Sequence, residues 1–455
     1  MIGHENLLDF LLRIDYCVTM KKVLIISYYW PPAGGPGAQR NVKFVKYLEQ
    51  FGWKAYVLTV NDGEFPYIDQ SLSSEIPSFV KIYRSKSIEP FKAYKRLTLK
   101  DKEESLPTAM LTMANQSLID RAAFFLRANL FVPDARIGWI PFAIKKARDI
   151  VSEEKIDLIY TSSPPHSLQL IGLVLKRLVK LPWVVDLRDP WTKIRYYEFV
   201  NRLKVIRAFD RFFERRVLVN ADRIVTVSDS LAAEFRSLSK SSATSKISVL
   251  ANGYDESDFP SKPIERCNEK FTVVYSGNML THQNPEVFWN ALNSMIEDRK
   301  VPRHTITVEL YGKIHEDVQA SFHAHGLDDV VRLYDFIPHQ EIVEKMKHAD
   351  LLIMVIPDVS NNMGIVTGKL FEYLGSGKPI LIIGPPASDA GKIIREFERC
   401  TIVDYDDRIA CSRFINTIYD HWKQGRPILS SAKLREKYSR RTLTHRLTKL
   451  FDELI

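Results

Sequence analysis

Short apolar runs alternate with amphipathic stretches along most of this chain. KVLIISYY (22–29), WKAYVLTV (53–60), IDLIYTS (156–162), PWVVDL (182–187), RIVTVS (223–228) and KISVLA (246–251) read as strands. Most are continuous rather than alternating, the pattern of parallel strands covered on both faces. Between the first two, residues 37–51 read as a helix, with Val42, Phe44, Val45, Leu48 and Phe51 apolar and Gly52 placed as the stop. A second series follows: FTVVYSG (271–277), TITVELYG (305–312), VRLYDF (331–336), DLLIMVIP (350–357), ILIIG (380–384) and CTIVDY (400–405). The stretch 252–270 between the series is polar and carries two prolines, which marks a link. The pattern predicts an α/β protein with two doubly wound, Rossmann-like parallel-sheet domains facing a central cleft.

The expected divisions are an N-terminal extension (1–19), a first domain (20–255), a linker (256–270), a second domain (271–430) and a C-terminal segment (431–455). That last segment carries Leu443, Leu447, Leu450, Phe451 and Leu454 on one helical stripe, which is expected to pack back on the first domain. Segments 61–117 and 237–246 lack a regular pattern and read as an excursion and an exposed loop. Residues 1–19 do not resemble a signal peptide, because acids interrupt the apolar stretch; Met20 stands directly before the first strand, and the extension is expected to be peripheral to function.

No apolar run approaches the roughly 18–20 residues of a membrane span. Cys17, Cys267, Cys400 and Cys411 have no paired spacing, so neither a zinc site nor a disulfide framework is expected, and a cytoplasmic setting fits best. The formal charge of +9 calls for anionic partners or serves solubility alone.

The densest chemistry lies in TGKLFEYLGSGKP (367–379), a short helix after a strand and a polar loop, stopped by Gly375, Gly377 and Pro379. A helix that opens with Thr367, Gly368 and Lys369 offers free N–H groups, the positive end of its dipole and a full charge to an anion. Glu372 sits one turn on, where it can accept hydrogen bonds from sugar hydroxyls. Anion site plus carboxylate suits a nucleotide diphosphate with its ribose.

Several segments together, YYWPPAGGPGAQR (28–40), FVPDARIGW (131–139), VVDLRDPWT (184–192), ERRVLVNADRIVTVS (214–228), LANGYD (250–255), YSGN (275–278) and TGKLFEYLGSGKPIL (367–381), resemble GT-B-fold, family-4-type retaining glycosyltransferases of bacterial polysaccharide synthesis. The resemblance runs from about residue 20 onward. It implies transfer of a sugar, with retained configuration, from a nucleotide-sugar donor to a hydroxyl acceptor. No cofactor or bound metal is implied; a UDP-sugar is favoured and a GDP-sugar remains open.

The resemblance also implies roles. Thr367, Gly368 and Lys369 would hold the diphosphate and Glu372 the ribose. Gly34 and Gly35, in the loop 31–37, would lie near the phosphates and the acceptor. His166, in SSPPHS, would sit beside the donor sugar; Asp189 would orient or deprotonate the acceptor hydroxyl, and Arg188 would hold an acidic group. The chain departs from the family twice. Counting back eight positions from Glu372, where relatives carry a first glutamate, reaches Gly364, or Asn361 if the loop is longer; sugar contacts would then come from loop amides around Asn362, Gly364 and Ile365. Where many relatives carry an Arg and a Lys in the segment matching SGNMLTHQNPE (276–286), this chain offers Asn278, His282 and Gln283, with Gly277 beside them at the donor and Asn284-Pro285 read as a helix cap and first position. His323 and His325 read as surface histidines rather than metal ligands.

Basic and aromatic residues mingle in two segments. Helix 196–218 is expected to turn Phe199, Leu203, Ile206, Phe213 and Val217 inward, with Arg202 among the residues elsewhere; 118–146 adds further aromatics and bases. Such a surface can dock on an anionic bilayer, which would suit a lipid-linked saccharide acceptor at the inner face of the cytoplasmic membrane, or it is an ordinary core stripe with a solvated face. No nucleic-acid recognition fold accompanies it. A GT-B nucleotide-sugar 2-epimerase, an inactive sugar-nucleotide-binding protein and, third, a nicotinamide oxidoreductase are the rival readings.

Overall fold

The computed structural model describes residues 20–66, 68–88, 125, 128–194, 202–239, 245–259, 268–298, 301–426 and 432–455. The extension 1–19, most of 89–127 and Phe199 lie outside them. Two compact units form: Met1–Thr226, Glu234–Leu250 and Thr444–Ile455 make the first, Val227–Ala233 and Ala251–Leu443 the second.

In the first unit the elements run β1 (Lys21–Ile26), α1 (Pro36–Leu48), β2 (Trp53–Val60), β3 (Lys81–Ser85), α2 (Ile140–Glu154), β4 (Leu158–Ser163), α3 (Ser167–Val179), β5 (Trp183–Leu187), α4 (Lys204–Asn220) and β6 (Arg223–Thr226), then α5 (Asp229–Ser239) and β7 (Ile247–Val249). All strands are parallel in the order β3-β2-β1-β4-β5-β6-β7, with Lys21 facing Trp53 and Val23 facing Leu158. Every residue of β4 and β5 is buried, as their continuous apolar character requires. Strand β3 lies inside the stretch read as irregular; as an edge strand with exposed Lys81 and Arg84 it lacks that character.

In the second unit the order is β8 (Phe271–Ser276), α6 (Glu286–Glu297), β9 (Ile306–Tyr311), α7 (Glu316–Ala324), β10 (Val331–Tyr334), α8 (His339–His348), β11 (Leu351–Val355), α9 (Gly368–Ser376), β12 (Ile380–Ile383), α10 (Asp389–Ile394), β13 (Cys400–Val403), α11 (Arg408–Lys423), α12 (Ala432–Glu436) and α13 (Arg440–Asp452). The six strands are parallel in the order β10-β9-β8-β11-β12-β13. Both sheets therefore reverse direction of winding once, between β1 and β4 and between β8 and β11, and ligands in such sheets bind beyond the strand ends at that reversal.

Several local expectations need correction. Gly375 lies within α9 rather than ending it, packed where a Cβ would meet the Tyr254 ring at 2.7 Å. The helix stops at Gly377, whose φ of 74° is left-handed. Helix α6 starts one residue late, with Pro285 as its cap; Asn284 instead accepts from the Trp289 indole at 3.1 Å. Just before α4 the inward and outward roles of two residues are exchanged: Leu203 is 49% exposed, whereas Arg202 is buried against Asp210 and the Ala128 carbonyl.

Candidate active site

At the reversal point of the second unit, the loop leaving β8 meets the N-terminus of α9. Tyr373, in α9, accepts the Ser276 N–H at 2.9 Å and ties the two elements together. Gly277 then turns with φ 101° while its N–H donates to the Tyr311 carbonyl at 2.7 Å. That conformation favours glycine, and a Cβ there would stand 2.9 Å from the Lys369 ammonium. Lys369 lies across this glycine with its nitrogen 4.0 Å from the centre of the Tyr275 ring. Among the described residues no carboxylate forms an ion pair with it. Burial pushes the Lys369 pKa down to about 7, with the Glu372 charge pulling the other way.

The space before α9 suits a ligand. The Thr367 side chain makes no capping bond to the helix, and a Cβ on Gly368 would meet nothing within 4 Å. Glu372, half-buried, holds the His339 ring at 3.2 Å from Oε1. His339 opens α8, so the carboxylate is already oriented from a neighbouring helix.

The remaining residues of this half divide. Gly277, Thr367, Gly368, Lys369 and Glu372 come together. Asn278 is exposed, and its carboxamide oxygen accepts from the Lys313 N–H at 3.2 Å. The His282 side chain is exposed, while its carbonyl accepts the Asp358 N–H at 2.7 Å and so joins the two loops of the reversal point. Asn362 is committed to the Pro357 carbonyl and the Tyr405 hydroxyl. Asn361 is exposed in left-handed backbone, Gly364 lies against Ser230, and the Ile365 N–H closes a turn onto Asn362. Tyr275 and His339 escaped the sequence reading. Tyr275 had a signal, a polar-tipped ring at a strand end two residues before a glycine; His339 had none, because α8 meets Glu372 only in the folded sheet.

The first unit has its own polar group at the corresponding reversal. Asp186, fully buried at the end of β5, accepts from Arg40 (3.0 and 3.2 Å), Tyr160 (2.8 Å) and Ser162 (2.9 Å). This fixes α1 to the strand ends. Arg188, two residues on, does not pair with Asp189; it donates to the carbonyls of Ser163 (2.9 Å) and Pro164 (3.3 Å) and lies where a Cβ on Gly37 would clash. Gly35 caps α1 with φ 87°, and Gly34 packs on Asp69. His166 is 4% exposed and stacked on Trp191, ring centres 5.0 Å apart. Neither of its ring nitrogens completes a hydrogen bond among the described residues, while the Pro190 backbone favours the charged ring. Burial pushes its pKa down against the charges of Asp134 and Asp189. A buried, neutral imidazole with unused polar atoms beside an acid can accept or donate a proton, or hold a sugar hydroxyl.

Among the described residues no His, Cys, Asp and Glu group is placed to hold a metal. His323 pairs with Asp328, and His325 lies 3.4 Å from Glu286. No helix among them is long and apolar enough to cross a membrane.

Residues 119–253 match the family model of the glycosyl transferase 4-like domain. No curated protein matches the chain. Sucrose-phosphate synthase from Thermosynechococcus elongatus superposes with a TM-score of 0.61 at 14% identity, over 95% of this chain and 99% of that one. A glycosyltransferase from Rickettsia africae gives 0.60 at 11%, over 96% and 99%. A mutant of S. aureus TarM, in complex with fondaparinux, alpha-GlcNAc-glycerol and UDP, gives 0.55 at 9%, over 95% and 100%. At these identities the likeness speaks for the fold, and the two sheets with their shared winding agree with it. The chain thus has the GT-B fold, and its residues 119–253 match the glycosyl transferase 4-like domain.

Proposed function

We propose that the protein is a retaining, metal-independent glycosyltransferase. It moves a sugar from a nucleotide-diphosphate sugar, a UDP-sugar in first place, to a hydroxyl of a saccharide or lipid-linked saccharide. The setting is surface-polysaccharide assembly at the cytoplasmic face of the membrane. The observation that carries the reading is Lys369: a desolvated ammonium at a helix mouth, without a carboxylate partner among the described residues, next to Gly368, where a Cβ would meet nothing within 4 Å. A diphosphate supplies the missing counter-charge, and the first-turn N–H groups of α9 add to it. The ribose hydroxyls fall to Glu372.

In the transfer, the bond from the anomeric carbon to the diphosphate oxygen breaks, and the acceptor oxygen bonds to that carbon on the same face. The acceptor proton passes to the departing phosphate. The protein stabilises the charge of the leaving group and aligns the partners. His166 and Asp189 are assigned to the sugar and the acceptor hydroxyl; Arg188, spent on two carbonyls, is assigned to shaping the loop rather than to binding an acid.

The test is thermal stabilisation by nucleotide diphosphates, then transfer measured with the best donor. One of UDP or GDP is expected to raise the melting point in chelator, and Lys369→Ala to remove that rise. Transfer should retain the anomeric configuration in the product. A melting point unmoved by every nucleotide sugar would defeat the reading.

A further inference from the structure

Helix α4 buries its acids beside Val217 and Leu218 and exposes two phenylalanines. Its only two acids, Asp210 and Glu214, are 0% and 1% exposed, while Phe209 and Phe212 are 55% and 52% exposed. Asp210 is held by the Trp191 indole at 2.7 Å and by Arg202; Glu214 accepts from Thr192 at 2.6 Å. These bonds fix the rotation of the helix about its axis. Val205, Phe212 and Val219 then recur every seventh residue on the outer face, with Phe209 beside them, so an apolar ridge points away from the core.

The charge that the helix exposes has one sign. Lys204, Arg207, Arg211, Arg215 and Arg216 are all exposed, and the buried acids leave nothing on the helix to oppose them. Arg216 lies over the Phe212 ring at 5.3 Å. The apolar surface continues beyond the helix. The Leu203 N–H donates to Asn129 at 2.7 Å, and the neighbouring Leu130 is 67% exposed.

We infer that this face of α4 docks on an anionic lipid bilayer, with the helix lying in the plane of the headgroups, its phenylalanines among the acyl chains and its bases on lipid phosphates. An outward apolar ridge flanked by cations is the build of an interfacial helix, and about 25 Å of helix would lie along the surface. A second copy of this chain is the poorer occupant, since a two-fold contact would set like charges against each other. The inference deepens the proposed function by naming the surface that would bring a lipid-linked acceptor to the enzyme, and it rests on that reading only for its purpose.

The test is co-sedimentation of the full chain with vesicles of phosphatidylcholine, with and without phosphatidylglycerol. Binding is expected only to the anionic vesicles, weakening as salt rises. Neutralising Lys204, Arg211 and Arg215 to Gln should weaken it by on the order of 100-fold. The double change Phe209→Gln and Phe212→Gln should weaken it at least about tenfold. Both variants should keep the wild-type melting point and its rise with nucleotide diphosphate. A wild-type chain that stays in the supernatant, binds neutral vesicles equally well, or is unaffected by these changes overturns the inference, as does a chain whose phenylalanine variant only dissociates a dimer. Loss of the nucleotide effect with vesicle binding intact would instead strike the glycosyltransferase reading alone.

Discussion

The ammonium of Lys369 stands 4.0 Å over the ring of Tyr275, across Gly277, whose missing Cβ leaves it room. In this position the charged form is disfavoured by burial, and the pKa is held at about 7. A bound diphosphate should restore the charge. Binding therefore takes up a proton as pH rises above about 7, and donor affinity falls across that range. The sign for stability is opposite. The unfolded chain binds the lysine proton up to about 10.4, so the ligand-free fold gains stability as pH climbs from about 7 towards that value. Calorimetry of UDP binding in buffers of different ionisation enthalpy reads the proton uptake directly. Lys369→Met should abolish both the uptake and the pH trend and weaken binding by about 10- to 100-fold.

Glu372 is assigned to the ribose, yet it already holds His339 at 3.2 Å. One carboxylate has oxygens enough for both partners, so the histidine orients rather than blocks. Glu372→Ala is expected to weaken UDP binding about tenfold, the cost of about one charge-assisted hydrogen bond. His339→Gln, which keeps a donor near the carboxylate, should change it by no more than about threefold. Dissociation constants for UDP against uridine separate this ribose effect from the diphosphate effect of Lys369.

The sheets were legible because parallel strands buried on both faces have little choice but to be apolar throughout; WKAYVLTV became β2 residue for residue. Strand β3 escaped because an edge position lets Lys81 and Arg84 face solvent. The candidate anion site was legible where it is local, in the turn that places Lys369 three residues before Glu372. What makes the lysine unusual comes from Tyr275 and Gly277 on another strand, and no spacing along the chain encodes that approach. Helix α4 misled for a related reason. Its inward stripe holds at Val217, which is 0% exposed, but Leu203, the residue before the helix, faces out, and the indole of Trp191 and the Arg202 side chain hold Asp210 inside.

Arg40 and Asp186 form an ion pair in which both side chains are 0% exposed. The carboxylate also accepts from Tyr160 and Ser162, and Arg40 donates to the Leu250 carbonyl at 2.9 Å. Removing one partner leaves an uncompensated buried charge. Arg40→Met should cost about 3–5 kcal/mol in chemical unfolding of the first unit, and Asp186→Asn a similar amount. Nucleotide binding by the second unit should survive whenever these variants remain folded. Unfolding monitored by Trp fluorescence alongside UDP titration separates the two effects.

Glu214 has the reverse electrostatics of a surface acid. Burial on the inner face of α4 raises its pKa to about 7, against a hydrogen bond from Thr192 that favours the charge. Between about 4.5 and about 7 the folded protein binds this proton while the unfolded chain has lost it. Stability from this group is therefore full below the lower value and declines as pH rises to the upper one. At neutral pH and above the carboxylate is ionised inside, at a cost of a few kcal/mol at most. Glu214→Gln keeps the shape and an acceptor for Thr192 without the charge. It should raise the melting temperature above pH 7 and leave it nearly unchanged at about pH 4.5, so the difference between variant and wild type grows with pH. Melting curves of both proteins across that range measure it, and a constant difference would place the burden on some other acid.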